Sequence, residues 1–258
     1  MRTPIIAGNW KMNPATAEEA LALATEVSRV ARSKPGVTTV ICPPTIWLAE
    51  IARAVRDGVA IGAQTMHPEE GGAYTGETSP LMLAGIATFV IIGHSERRRY
   101  DGETDERVGR KVVSAVAHGL RPIAAVGERA DERRTGETAA VIDRQVRAAI
   151  AGLPRIRGSG LVVAYEPVWA IGTGDAASPD DAQAAAAQIR AILREADPDG
   201  ADDVPIQYGG SVTEDNAASF FAQPDVDGSL VGGASLKPDA FGAILRAAAA
   251  AQAARSRA

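Results

Sequence analysis

The chain has 258 residues, of which 46% are hydrophobic and 23% are charged, and its formal net charge is −5. This is the composition of a globular protein with a sizeable core, and the acidic balance argues against nucleic acid as a partner. The single cysteine, Cys42, excludes an internal disulfide, and no signal peptide or membrane-spanning stretch is visible, so we expect a cytoplasmic protein without a membrane partner.

Short apolar runs alternate with helical patterns along the whole chain. The predicted strands are 5–8, 38–42, 59–63, 89–92, 122–126, 161–165, 205–208 and 226–231. The predicted helices are 17–32, 45–57, 80–84, 105–118, 137–151, 179–195, 213–221 and 238–254. In the first helix, apolar residues recur at helical spacing, and Thr16 with Glu19 predicts a capping box.

Eight strand-then-helix units in a chain of this length favour an α/β fold with eight parallel strands closed into a (β/α)8 barrel. An open doubly wound sheet is the alternative, but no Gly-x-Gly-x-x-Gly follows the first strand. No linker rich in proline or serine divides the sequence, so we expect a single domain over residues 1–258.

Polar residues follow the first and fourth strands, and in such a barrel the carboxyl ends of the strands carry the chemistry. Lys11 could hold an anionic substrate and Asn9 could donate to a carbonyl, although a solvated lysine is an equal alternative. His94 lies where a strand gives way to a helical turn, and a helix N-terminus disfavours a cationic imidazole. A neutral ring could act as an electrophile or proton shuttle, whereas most lone histidines are structural; Glu96 could hold Lys11 across the barrel mouth.

A single carboxylate, Glu166, follows the sixth strand. It precedes an apolar loop with Trp169 and Ile171, and then Gly-Thr-Gly at 172–174. A carboxylate under an apolar loop that closes can act as a general base in a site from which water is excluded. The alternative is an ordinary glutamate beside a core tryptophan.

Glycine pairs follow the last two strands, as Gly209-Gly210 before Ser211 and as Gly232-Gly233. Glycine lets backbone N–H groups approach a ligand closely, and loops seven and eight of such barrels recurrently hold a phosphate. One pair could be a tight turn, but two pairs at consecutive strand ends favour a phosphate cradle.

The loop after the third strand spans residues 64–79 and has Tyr74 and Thr75 at its tip. Loops of this length without secondary structure of their own usually serve a function. We expect this loop to dock into a second copy of the chain, making a homodimer with Tyr74 and Thr75 at the interface.

A base, a neutral electrophile, a cation and a phosphate cradle together suit proton abstraction next to the carbonyl of a small phosphorylated substrate. Moving that proton to the neighbouring carbon interconverts an aldose and a ketose, and a closed loop would protect the enediolate. We see no metal-binding cluster or nucleotide fingerprint, so we expect neither a metal nor a cofactor.

The segments 7–13, 62–64, 72–77, 93–98, 164–174, 208–211 and 230–234 closely resemble the triosephosphate isomerase family. The resemblance runs along essentially the whole chain. It implies the TIM barrel fold, interconversion of dihydroxyacetone phosphate and D-glyceraldehyde 3-phosphate in glycolysis and gluconeogenesis, and a homodimer in which Thr75 braces the partner's site.

The resemblance also implies residue roles. Glu166 would take the substrate proton, and His94 would serve the substrate oxygens. Asn9 and Lys11 would stabilise the enediolate, with Glu96 paired to Lys11. Backbone groups would hold the phosphate around Gly172, Ser211, Gly232 and Gly233.

Three positions depart from the family pattern. Ala125 stands where a cysteine is usual, Thr65 where an asparagine is common, and Asp175 where a lysine is usual. None removes a group that the mechanism needs. Two other interpretations remain: an isomerase of a four-carbon sugar phosphate, and a weakly active barrel retained for binding.

Overall fold

A computed structural model describes residues 2–55, 57–171 and 177–257. Within these ranges eight strands form a closed barrel in sequence order, with every neighbouring pair parallel. The strands are β1 (Ile5–Asn9), β2 (Thr38–Cys42), β3 (Ala60–Ala63), β4 (Phe89–Ile92), β5 (Arg121–Val126), β6 (Val162–Tyr165), β7 (Ile206–Tyr208) and β8 (Gly228–Val231). The barrel closes between β1 and β8, where Ile5 lies opposite Gly228. This confirms the barrel and excludes the open sheet.

Ten α-helices surround the described strands. They are α1 (Ala17–Arg32), α2 (Thr45–Ala54), α3 (Pro80–Leu83), α4 (Ser95–Tyr100), α5 (Asp105–Ala117), α6 (Ala130–Arg134), α7 (Thr138–Ile150), α8 (Pro179–Ala196), α9 (Ala217–Phe221) and α10 (Pro238–Arg255). Single 3-10 turns occur at Val168–Ala170, Ala201–Asp203 and Gly233–Leu236. In these ranges we find no helix with both the length and the apolarity that crossing a bilayer requires.

The long predicted helices and the short predicted helix 80–84 are found in the structure, whereas α6 was not predicted. Thr16 and Glu19 form the expected capping box of α1. Helix α6 has the sequence ADERR, whose five charged and small residues carry no apolar periodicity. The predicted helix 213–221 is wrong in its first four residues, because Asn216 Oδ1 accepts the N–H of Thr213 and shapes a turn there.

Apolar residues pack in two layers, because alternate side chains of a strand point to opposite faces. Ile5, Ala7 and Ile91 fill the barrel interior, while Ile6 and Ile92 pack outward against the helices. Cys42 lies inside the barrel, where burial raises the pKa of its thiol to about 12. It is therefore a packing residue with little thiolate character.

Buried charges tie the amino-terminal rim of the barrel together. The fully buried carboxylate of Asp227 lies 3.1 Å from Nη2 of Arg190 and 2.7 Å from Nε of Arg2. It also accepts the N–H of Ile206, and Arg255 reaches its other oxygen at 3.4 Å. This network links α8 and α10 to the starts of β7 and β8. The opposite rim is left for the loops that follow the strands.

Candidate active site

Glu166 and His94 face each other at the carboxyl rim of the barrel. Glu166 directly follows β6, and its backbone N–H is held by the carbonyl of Val126 at 2.7 Å. Its carboxylate is buried, with 2% of the residue exposed. Oε1 lies 3.0 Å from Nε2 of His94 and Oε2 accepts the N–H of Ser95 at 2.9 Å. Two residues 72 positions apart therefore form one pair.

The surroundings of His94 select a neutral ring. His94 caps the N-terminus of α4, where its Nδ1 accepts the N–H of Glu96 at 3.2 Å. Burial lowers the pKa of His94, whereas the Glu166 carboxylate outweighs burial and raises it. A second proton would have to enter on Nδ1, where it would confront the N–H of Glu96. The hydrogen bond from the N–H of Glu96 therefore favours the neutral tautomer, in which Nδ1 carries no proton and Nε2–H donates to Glu166.

The carboxylate of Glu166 stays ionised despite its burial. Burial raises the pKa of Glu166, but the hydrogen bonds from His94 and from the N–H of Ser95, with the charge of Lys11, hold that pKa below its usual range. An ionised carboxylate with little water around it is a stronger hydrogen-bond acceptor than one in solvent. The group is thus ready to accept a proton at neutral pH.

Lys11 is fixed by an unusual backbone and a short ion pair. Its φ is +52°, a left-handed conformation that few residues other than glycine adopt. Asn9 Oδ1 accepts the N–H of Lys11 at 3.0 Å, and Nε2 of Gln64 donates to its carbonyl at 2.7 Å. The ammonium group lies 2.6 Å from Oε1 of Glu96. Sequence reasoning quoted Gln64 within a motif but did not assign it this supporting contact.

The glycine loops after β7 and β8 border open space. A cavity of about 600 Å³ lies at this rim, and a Cβ added at Gly233 would meet no atom within 4 Å. The structure brings the following predicted residues to its wall: Asn9, Lys11, His94, Glu166, Ser211, Gly232 and Gly233. Glu96 supports Lys11 from beside the cavity. Gly172 and Asp175 lie outside the described residues.

The chain matches known proteins along nearly its whole length. The sequence pattern described as triosephosphate isomerase matches residues 4–248. A triosephosphate isomerase of Symbiobacterium thermophilum is 51% identical over 256 residues, which cover 98% of this chain and all of that protein. Those of Chloroflexus aurantiacus and Herpetosiphon aurantiacus are each 50% identical, over 93% and 95% of this chain and 97% and 99% of their own lengths.

The chain belongs to the triosephosphate isomerase family. The resemblance in its motifs is thereby confirmed, and the closed barrel is that of the family. The relatives' names support the triose interpretation over the four-carbon alternative.

The loop that follows Glu166 is anchored by a second buried carboxylate. Glu128, which follows β5, accepts the indole N–H of Trp169 at 2.8 Å and the hydroxyl of Tyr165 at 3.1 Å. The guanidinium of Arg133 lies 4.1 Å from the Trp169 ring centroid and pairs with Asp181. Trp169 is therefore half-buried against polar partners. Sequence reasoning missed Glu128 and Arg133, although the strand-end position of Glu128 was a usable signal.

Two of the three departures from the family pattern lie in the described part of the chain. Thr65 Oγ1 accepts from Nζ of Lys111 at 3.1 Å, and Lys111 also pairs with Glu103. Glu103 in turn accepts the N–H of Gly93 at 2.8 Å. Thr65 thus belongs to a network that supports the turn before His94. Ala125 lies in β5, and its carbonyl accepts from Arg98 at 3.3 Å.

Proposed function

We propose that this protein interconverts dihydroxyacetone phosphate and D-glyceraldehyde 3-phosphate by proton transfer through an enediolate. The observation that carries the proposal is the 3.0 Å contact between the Glu166 carboxylate and a neutral His94 on the wall of a cavity bordered by glycine loops. The names of the relatives, at about half identity over full length, support the same reaction.

Glu166 is the proposed base. Its lowered pKa keeps it ionised, and it would release its contacts with Ser95 and His94 to take a proton from the substrate carbon beside the carbonyl. Returning that proton to the neighbouring carbon completes the isomerisation. No atom or electron is gained or lost overall, so the step balances without an oxidant or reductant.

His94, Lys11 and Asn9 stabilise the charge that develops on the substrate oxygens. The Glu96 N–H keeps Nδ1 of His94 unprotonated, so Nε2–H can donate to either oxygen and shuttle a proton between them. The ammonium of Lys11 favours the negative enediolate over the neutral carbonyl. Because its backbone and its ion pair with Glu96 are already fixed, little reorganisation is needed.

The phosphate group lies over the loops after β7 and β8 in this proposal. Gly233 leaves the backbone open to the cavity. Gly232 lies beside the side chain of Lys11, because a Cβ added at Gly232 would be 3.7 Å from Cε of Lys11. Ser211 would join them; its hydroxyl donates to the carbonyl of Ala170 at 2.9 Å. Gly172 remains a predicted contributor.

We propose a homodimer built on the loop after β3. Large apolar side chains are exposed in the segments that follow β1, β2 and β3, which are neighbours in the barrel. They are Met12 at 93%, Ile46 at 74%, Met82 at 62%, Leu81 at 55% and Tyr74 at 46% exposure. Apolar groups clustered in this way mark an interaction surface. Thr75, at the loop tip, would brace the partner's site.

Light scattering at micromolar concentration tests the dimer. We expect twice the chain mass, and Leu81→Asp should shift the protein toward the monomer by burying an unpaired charge. Ala187→Asp adds the same charge to an exposed position of α8 across the barrel and should leave the mass unchanged. A monomeric wild-type protein would overturn the proposal.

We also propose that the protein acts in the cytoplasm, within glycolysis and gluconeogenesis. Both substrates are charged phosphate esters that do not cross a lipid bilayer unaided. Fractionation of cells that carry a tagged full chain would test the location.

A coupled dehydrogenase assay with glyceraldehyde 3-phosphate tests the reaction. Glu166→Ala should lower kcat/KM by about 10²–10⁴-fold, the usual contribution of a general base. Glu50→Ala, at an exposed glutamate of α2, is the matched control and should retain full activity. A wild-type protein inactive on the triose, or a fully active Glu166→Ala variant, would overturn the proposal.

A further inference from the structure

A lysine that the proposed reaction does not use lies on the wall of the same cavity. Lys237 follows the 3-10 turn Gly233–Leu236 and immediately precedes α10. It lines the cavity together with Gly232 and Gly233, and its side chain is exposed. Within the ranges that the structure describes, its ammonium group forms no ion pair or side-chain hydrogen bond. Its charge is therefore available to a ligand.

The remaining charges of the wall are unfavourable for an anion. With His94 neutral, the wall carries two ammonium groups, of Lys11 and Lys237, and three carboxylates, of Glu166, Glu214 and Asp215. Lys11 is also offset by Glu96 at 2.6 Å. A phosphate dianion that approaches this rim consequently meets more negative than positive charge, and Lys237 reduces that excess.

We propose that Lys237 captures the phosphate dianion and guides it to the glycine loop after β8, offsetting the repulsion from Glu214 and Asp215. This inference rests on the proposed function. Lys237 is a positioning residue, because it acts on the non-reacting end of the substrate. Since attraction between charged groups at a solvent-exposed rim raises the association rate, its contribution lies in kcat/KM and is sensitive to salt.

The size of the effect follows from charges held apart in water. A dianion and a cation about 8–10 Å apart at the dielectric constant of water change an equilibrium by roughly three- to tenfold. At about 1 M salt the Debye length is only about 3 Å, so this attraction should disappear.

Steady-state kinetics over a range of ionic strengths test the proposal. We expect Lys237→Met to lower kcat/KM for glyceraldehyde 3-phosphate about three- to tenfold at low salt, through KM, with the loss vanishing near 1 M salt. Lys237→Arg should retain capture, and Glu214→Gln should raise kcat/KM. Lys34→Met removes the same charge beyond the end of α1 and should have no effect.

Binding of inorganic phosphate, followed by phosphorus NMR, separates this inference from the proposed function because it requires no turnover. Lys237→Met should weaken phosphate binding by the same factor and leave turnover of unphosphorylated glyceraldehyde unchanged. Equal phosphate affinity in the wild type and Lys237→Met would overturn the inference, as would a loss in kcat that persists at high salt. If the wild type were inactive on the triose but bound phosphate in a salt-sensitive way, the proposed isomerisation would be overturned and the role of Lys237 in phosphate capture would be retained.

Discussion

Gly209 sets the position of the proposed base from the neighbouring strand. It follows β7, and a Cβ built there would lie 2.9 Å from Cγ of Glu166 and 3.2 Å from the carbonyl oxygen of Tyr165. Its φ is outside the left-handed region, so alanine adds no backbone strain. Because carbon atoms pack at about 3.5–4.0 Å, Gly209→Ala should displace the Glu166 side chain by roughly 1 Å.

A displacement of that size has a large kinetic cost. A misplacement of about 1 Å can lower the rate roughly 100-fold, which corresponds to about 2.7 kcal/mol of transition-state free energy. The shorter contact is with a side chain that can move, and the contact with the Tyr165 carbonyl requires a shift of only a few tenths of an ångström, so the barrel should remain folded. We therefore expect Gly209→Ala to lower kcat/KM about 100-fold with an unchanged circular dichroism spectrum.

A double-mutant cycle assigns the loss to Glu166. The coupled assay is run on the wild type, Gly209→Ala, Glu166→Ala and the double variant. Since Glu166→Ala removes the Cγ that the new methyl would contact, Gly209→Ala should cost nothing further in that background. Full activity of Gly209→Ala, or an equal loss in both backgrounds, would refute the reasoning.

Two further predictions concern pH and stability. Because the pKa of Glu166 is lowered, activity should be lost only as the pH falls through that lowered value. His94→Asn removes the contact of the imidazole with Glu166, so burial should raise the pKa of Glu166 and the acid limb of kcat/KM should move to higher pH. An unshifted limb would show that His94 does not set this pKa. Arg190→Met leaves the buried carboxylate of Asp227 under-compensated and should lower the free energy of unfolding in urea by about 3 kcal/mol. The exposed pair of Arg194 with Asp202 is the control, and Arg194→Met should cost less than about 1 kcal/mol; equal losses would contradict the assignment.

Much of the fold could be predicted from the sequence because the patterns that indicate strands and helices are local. Apolar runs and helical spacing follow from the geometry of single strands and helices, and they placed β1, β4, β6 and α1 within a residue or two. The strand-end positions of Asn9, His94 and Glu166 were accessible for the same reason. The short helix α6 was not, because five residues without apolar periodicity leave no pattern to detect.

By itself, the sequence determined the order of the strands and helices, the family, and the residue types available at each strand end. Only the tertiary structure decided which of those residues meet. The 3.0 Å contact of His94 with Glu166 and the clamp of Glu128 on Trp169 join segments 72 and 41 positions apart in the sequence. The pairing of Lys11 with Glu96, 85 positions apart, was expected from the sequence, but its 2.6 Å distance was not. Their distances depend on closure of the barrel, which brings the ends of separate strands to one rim. Local periodicity carries no information about that closure.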